Sequence, residues 1–168
     1  MMHGHGEFKD AMGNITTGEW RYDEKEGNCK ESYIDGSQFE GNFEKNQKNG
    51  FGTFNWKDGT SFIGNFMNDD MDGFGKFTWA TGRVYEGDWK SGKMDGKGRL
   101  IYEDGNLYNG EFVDDQRHGY GIFTWKDGKK YDGPWRNNKQ HGVALLVLPN
   151  KKEVRAEFKD GEKIRFVE

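Results

Sequence analysis

Glycines and aromatic residues recur in this chain every 23 positions. Gly18, Gly41, Gly64, Gly87, Gly110 and Gly133 stand in one column, and two places on stand Trp20, Phe43, Phe66, Trp89, Phe112, Trp135 and Phe158. A period of this length, held in register over about seven copies, means one small supersecondary unit stacked on copies of itself. Each unit packs on its neighbours, so 168 residues need no central core. Function is therefore to be sought first on a repetitive surface and only then in a catalytic pocket.

The unit reads as a β-hairpin. In Tyr85-Glu86-Gly87-Asp88-Trp89 the residues Tyr85, Gly87 and Trp89 share one face and Glu86 and Asp88 the other, which is strand period two. A polar stretch, Lys90 to Asp95, is expected to loop before a second strand in which Gly98, Leu100 and Tyr102 share a face. Asp104-Gly105 is then expected to make a tight turn into the next copy. The same design gives one column of Phe54, Phe77, Leu100, Phe123 and Leu146, and another of Trp56, Trp79, Tyr102, Trp125 and Leu148. Glycines share the face of the rings, so a missing Cβ is expected to leave room for a large ring from an adjacent strand. Leu, Ile, Val and Phe total only 30 residues, under the ~20% below which disorder is suspected, but aromatic residues at 15% restore the buried area. The expected fold is all-β: a single-layer, elongated array of antiparallel β-hairpins, twisted and curved, advancing about 10 Å per repeat.

The pattern Y-x-G-x-W, a polar stretch, G-x-G, a short strand and D-G resembles the MORN (membrane occupation and recognition nexus) repeat. It is carried almost letter for letter by Tyr85–Trp89, by Tyr108–Phe112 with Arg117–Gly121, and by Tyr131–Trp135 with His141-Gly142. The expected organisation is a partial repeat over 1–15, six MORN-like repeats of 23 residues over 16–153, and a capping hairpin over 154–168. The copy at 16–38 is degenerate: Cys29 takes the second glycine position and Glu31 sits in a ring column. Near the other end, Ala144 replaces a glycine, Leu146 and Leu148 replace rings, and Pro149-Asn150-Lys151 replaces D-G. Gly4-His5-Gly6 falls in the G-x-G columns, so the chain opens in the middle of a hairpin, as expected of a fragment of a longer array.

Little in the sequence points to catalysis. His3, His118 and His141 share a column but are spread along the array, whereas zinc needs three or four ligands around one ion. Asn68-Asp69-Asp70-Met71-Asp72-Gly73 imitates the start of a calcium loop, yet the position of its bidentate glutamate holds Trp79. The G-x-G triplets lack the third glycine and the βαβ setting of a dinucleotide site. Cys29 has no general base beside it in sequence. No catalytic residue, metal or cofactor is expected, and the chain is not expected to be an enzyme.

Two faces offer binding surface. Position thirteen of the repeat holds His5, Asn28, Phe51, Phe74, Lys97, Tyr120 and Val143, which by parity point away from Leu100 and Tyr102. Phe51, Phe74 and Tyr120 form an aromatic strip suited to an extended or helical partner segment, unless they merely rest on the stems of Met71 and Met94. The alternative strip is Tyr85, Trp89, Tyr102 and Tyr108, should that face be a shallow groove instead of a closed core. The net charge of −4 offers no general attraction to nucleic acid, and none is expected as a partner. Residues 126–168 hold 11 Lys/Arg against 7 Asp/Glu, so Lys126, Lys129, Lys130, Lys151 and Lys152 are the candidates for a phosphoinositide headgroup; membrane contact is the less favoured reading. One cysteine and the absence of an apolar run of membrane-spanning length fit a cytoplasmic chain. The resemblance implies a scaffold for protein partners in a cytoskeletal, ciliary or cortical assembly, with homo-oligomers as a further mode. It also leaves open a regulatory array attached to a lipid kinase or methyltransferase.

Overall fold

A computed structural model describes residues 1–168. Sixteen antiparallel strands, with no helix, form one open sheet whose path follows chain order, except that the short thirteenth strand pairs only with the end of the twelfth, which itself pairs with the fourteenth. The chain divides into two compact units, Met1–Ala80 with Trp89–Gly92, and Thr81–Asp88 with Lys93–Glu168.

The first unit holds β1 (Gly4–Lys9), β2 (Ile15–Arg21), β3 (Glu24–Ser32), β4 (Gln38–Glu44), β5 (Gln47–Asn55), β6 (Ser61–Met67) and β7 (Asp70–Thr78). Its register sets like against like: Phe39 faces Phe54, Phe54 faces Phe62, and Gly41 faces Gly52, which in turn faces Gly64. The residues of β8 (Val84–Lys90) belong partly to each unit. The second unit continues with β9 (Lys93–Ile101), β10 (Leu107–Val113), β11 (Gln116–Thr124), β12 (Lys130–Arg136), the two-residue β13 (Lys139–Gln140), β14 (Gly142–Val147), β15 (Glu153–Lys159) and β16 (Glu162–Val167). Here Tyr108 faces Leu100 and Phe123, and Gly110 faces Gly98 and Gly121.

The turns correct the sequence reading. The polar stretch is no loop: the chain reverses in two residues and the return strand starts at once, so β9 begins at Lys93. The two central residues have positive φ throughout, as at Asn68 (50°) with Asp69 (74°) and Asp114 (46°) with Asp115 (66°). That is the type I′ geometry whose twist matches paired strands. Asp-Gly instead occupies a five-residue connection, in which the Trp56 N–H donates to the Thr60 carbonyl and the Asp58 carboxylate accepts from the Thr60 N–H (2.8 Å). Asn150 plays the aspartate's part at the last such turn, accepting from the Lys152 N–H (3.0 Å).

Each tight turn is latched to the hairpin before it. The Asp69 N–H donates to the Lys48 carbonyl (3.0 Å) while its carboxylate accepts from the Lys48 N–H (2.9 Å). The same reciprocal pair joins Asp23 to Met2, Asn46 to Lys25, Asp115 to Met94 and Asn138 to Arg117.

The ring face is closed by edge-to-face aromatic packing. Phe39 meets Phe43 and Phe66 with centroids 5.3 and 5.2 Å apart and planes near perpendicular, and Tyr108 meets Phe112 and Trp135 in the same way. Long side chains of one repeat column lie over the rings. Lys25 sits 4.6 Å from the Phe43 centroid, Lys48 sits 5.2 Å from Phe39, and Arg117 sits 4.5 Å from Trp135. Their alkyl stems supply the cover that a single layer lacks. The degenerate copy is repaired by charge: buried Glu31, standing where its neighbours have rings, accepts from Lys25 Nζ and from the Tyr33 hydroxyl.

Candidate interaction surfaces

The two sides of the sheet differ in what they leave open. On the ring side, Tyr85 and Tyr108 are wholly inaccessible and Trp89 is 5% exposed. The Tyr85 hydroxyl donates to the Asp88 carbonyl and that of Tyr108 to the Glu111 carbonyl, both at 2.9 Å. Burial pushes both phenols well above the ordinary tyrosine range. These rings are interior groups with no surface to offer. Tyr102 is half-buried, with the Arg83 guanidinium 5.5 Å from its centroid.

On the other side, the first unit presents Phe51 and Phe74, 59% and 56% exposed. A β-bulge sets them there. The pairing of β4 with β5 shifts between Gly41 and Phe43, and Gly50, with φ of 97°, takes up the extra backbone. The same happens at Gly73 (φ 94°), before Phe74. Phe51 then pairs with Asn65 of β6, and the Asn65 amide donates to the Phe74 carbonyl (3.3 Å). With one strand between them, the two rings stand about 10 Å apart. Met94 is buried on the ring side and Met71 borders a hollow there with Phe54, Trp56 and Phe66, so neither stem is what these phenylalanines rest on.

Beside Phe51 lies an open groove of about 530 Å³. Asn28 and Asn42 line it at the Phe51 end and Gln38 and Asn55 at the other, with Lys30, Glu40 and Thr53 between them. The amides of Asn28, Gln38, Asn42 and Asn55 make no hydrogen bond within the chain. Sequence reasoning placed Phe51 and Asn28 on this face by parity and missed Gln38, Asn42 and Asn55, whose approach to Asn28 and to one another depends on the pairing of β3, β4 and β5.

In the second unit Tyr120 is 53% exposed, pairs with Pro134 across the strands and donates to the Asp132 carboxylate (2.6 Å). That bond lifts its phenol above the ordinary range. The five lysines separate. Lys129 and Lys152 border an apolar groove near the end of the chain, together with Lys163, which sequence reasoning passed over. Lys126, Lys130 and Lys151 are exposed and do not line it.

Cys29 is 2% exposed, with its thiol directed at the carbonyls of Glu19 and Glu26 and pushed up by burial, which disfavours the nucleophilic thiolate. His3 contacts Tyr22, and His141 lies 3.7 Å from Asp160. No three His, Cys, Asp or Glu side chains are grouped as a metal would need.

Among known families, the model of the MORN repeat matches at residues 1–15, 17–38, 39–61, 62–82, 85–107, 108–130 and 131–152. No curated protein sequence matches. Of solved structures, the TCP domain of SAS-4 (dCPAP) of Drosophila melanogaster, in complex with a proline-rich motif of Ana2 (dSTIL), is similar at a TM-score of 0.57. The two are 16% identical over 93% of this chain and 85% of that one. The TCP10 domain of Danio rerio CPAP, in complex with a peptide of Danio rerio STIL, is similar at 0.43, with 12% identity over 97% and 98% of the two chains. At these identities the likeness speaks to fold alone, and only the first is close enough to carry it.

Proposed function

Because the chain belongs to the MORN-repeat family, whose seven matched segments reach residue 152, we propose that it is a non-catalytic scaffold that holds an extended segment of a partner protein against Phe51 and Phe74. The observation that carries this reading is the exposure of those two rings, with Phe51 at the edge of a groove that holds unpaired amides. Such a surface suits a polyproline-type segment. That conformation has no internal hydrogen bonds, so its carbonyls are free to accept from Asn28, Gln38, Asn42 and Asn55, while its rings stack on aromatic side chains. The fold shared with the SAS-4 TCP domain, solved with a proline-rich motif, supports the same class of partner. The family resemblance supports a cytoskeletal, ciliary or cortical setting. Tyr120, beside Pro134, offers the second unit a smaller contact of the same kind.

The test is capture of the partner by the chain and by its Phe51→Ser/Phe74→Ser variant. Both rings are already more than half exposed, so the variant should melt within a few degrees of the parent. Capture should weaken at least tenfold, as expected when two aromatic anchors are lost. Undiminished capture by a folded variant would remove this face from the account.

A further inference from the structure

The last repeat differs from the others in the size of its side chains. Leu146 and Leu148 stand in the columns of Phe123 and Trp125, Val154 in that of Tyr131, and Gln140 in that of Arg117. Each is smaller than its counterpart, so the ring side of β14 to β16 is underfilled. The result is an apolar groove of about 650 Å³ walled by Trp125, Leu146, Leu148, Val154, Phe158 and Phe166, of which Phe166 is 62% exposed.

Lys129, Lys152 and Lys163 border this groove, and no Asp or Glu lines it. Lys129 Nζ rests 4.7 Å from the Trp125 centroid and Lys163 Nζ 4.1 Å from that of Phe166. None of the three ammonium groups has a carboxylate within ion-pair distance. An apolar recess bordered by unpaired positive charge is complementary to a ligand with an apolar body and negative flanks. From β12 to β16 there are three strand spacings, about 14 Å, which accommodates about four extended residues.

We propose that this groove binds a short acidic segment of a partner protein, with a Leu, Phe, Trp or Pro side chain seated against Trp125 and Leu148 and Asp or Glu residues reaching Lys129, Lys152 and Lys163. A protein segment fits better than a lipid surface because the apolar wall is recessed between strands and offers a seat for one side chain. The site stands independently of the Phe51 and Phe74 reading, since the two share no residue.

A random dodecapeptide display library selected on the full chain tests this, with the affinity of enriched peptides read by fluorescence anisotropy at 50 and 300 mM NaCl. Enriched sequences should flank a large apolar residue with two or more Asp or Glu. Their binding should weaken at least fivefold in the higher salt, as charge contacts are screened. The surface variant Lys129→Glu/Lys152→Glu/Lys163→Glu and the separate variant Leu148→Ser should each weaken it at least tenfold, while Phe51→Ser/Phe74→Ser leaves it unchanged. Four results would overturn the proposal. One is that no enriched peptide depends on the groove, and another is that groove-dependent peptides are neutral or basic. The third is that phosphatidylserine vesicles bind the chain and are lost with the lysine reversal. The fourth is self-association that the reversal abolishes, which would mean a second copy fills the groove.

Discussion

A methyl group placed on Gly52 would stand 2.6 Å from Phe39 Cζ, and one on Gly41 would meet the same ring at 2.8 Å. The repeat's glycines are therefore the floor on which one ring lies. Gly52→Ala should lower stability by about 1–3 kcal/mol through overpacking, and Phe39→Leu in the same chain should recover part of that in a thermal melt. Gly59→Ala meets nothing within 4 Å but has φ of 91°, so its cost of about 1 kcal/mol is backbone strain that no ring substitution relieves. Pairing of glycine with ring was legible from the columns. The ring over Gly52 does come from the adjacent strand, as the columns imply; that the same ring also covers Gly41 of its own strand was not legible, since a column records spacing and not side-chain direction. The compensation of Glu31 by Lys25 and Tyr33 was equally hidden. Buried phenols also make stability depend on alkali. Tyr131 is inaccessible and burial raises its pKa to about 12, and Tyr33, Tyr85 and Tyr108 are raised further. A phenol held neutral in the fold contributes in full below the unfolded value near 10, and its contribution is lost as pH rises towards the folded value. Chemical denaturation between pH 10 and 12 should show stability falling by up to about 1.4 kcal/mol per pH unit for each such tyrosine, with little change between pH 7 and 9.

The hairpins are joined by more than their ladders. Reciprocal bonds between each tight turn and the strand before it recur along the chain, and the side-chain half comes from Asp23, Asn46, Asp69, Asp115 and Asn138. At Gly92 only the backbone half exists, from its N–H to the Met71 carbonyl (2.9 Å). With φ of 78°, that position is open to asparagine, which tolerates left-handed backbone. Gly92→Asn should raise stability by about 0.5–1.5 kcal/mol, and Asp115→Ala should lower it by a similar amount, both read by urea unfolding. The sequence showed these polar residues but not their use, because a bond spanning 21 residues is invisible to local turn rules. Those rules correctly found a turn at both ends of each hairpin. They assigned the tight one to Asp-Gly because that pair is the strongest short-range hairpin signal, whereas Asn-Asp and Asp-Asp serve the same geometry here.

Taken whole, the chain spends most of its large side chains on one side of its sheet and leaves selected ones on the other. Phe39, Phe62, Tyr85, Tyr108 and Tyr131 are at most 1% exposed, whereas Phe51, Phe74, Tyr120 and Val143 all exceed 50%. Alternation along the strands made this division readable in advance for Phe51 and Phe74. The amide groove beside Phe51 and the apolar groove at Leu148 were not readable, because cavities depend on cross-strand pairing and on the relative sizes of side chains on neighbouring strands. The central claim is that a partner segment lies along Phe51 and Phe74. It is tested most directly by photo-crosslinking, with p-benzoylphenylalanine placed singly at Phe51, Phe74 and, as an exposed control in a turn, Ile34, in the presence of the partner. Crosslinks from positions 51 and 74 to one short stretch of the partner, and none from position 34, are the predicted result; crosslinks absent from 51 and 74 while the partner remains bound would contradict the account.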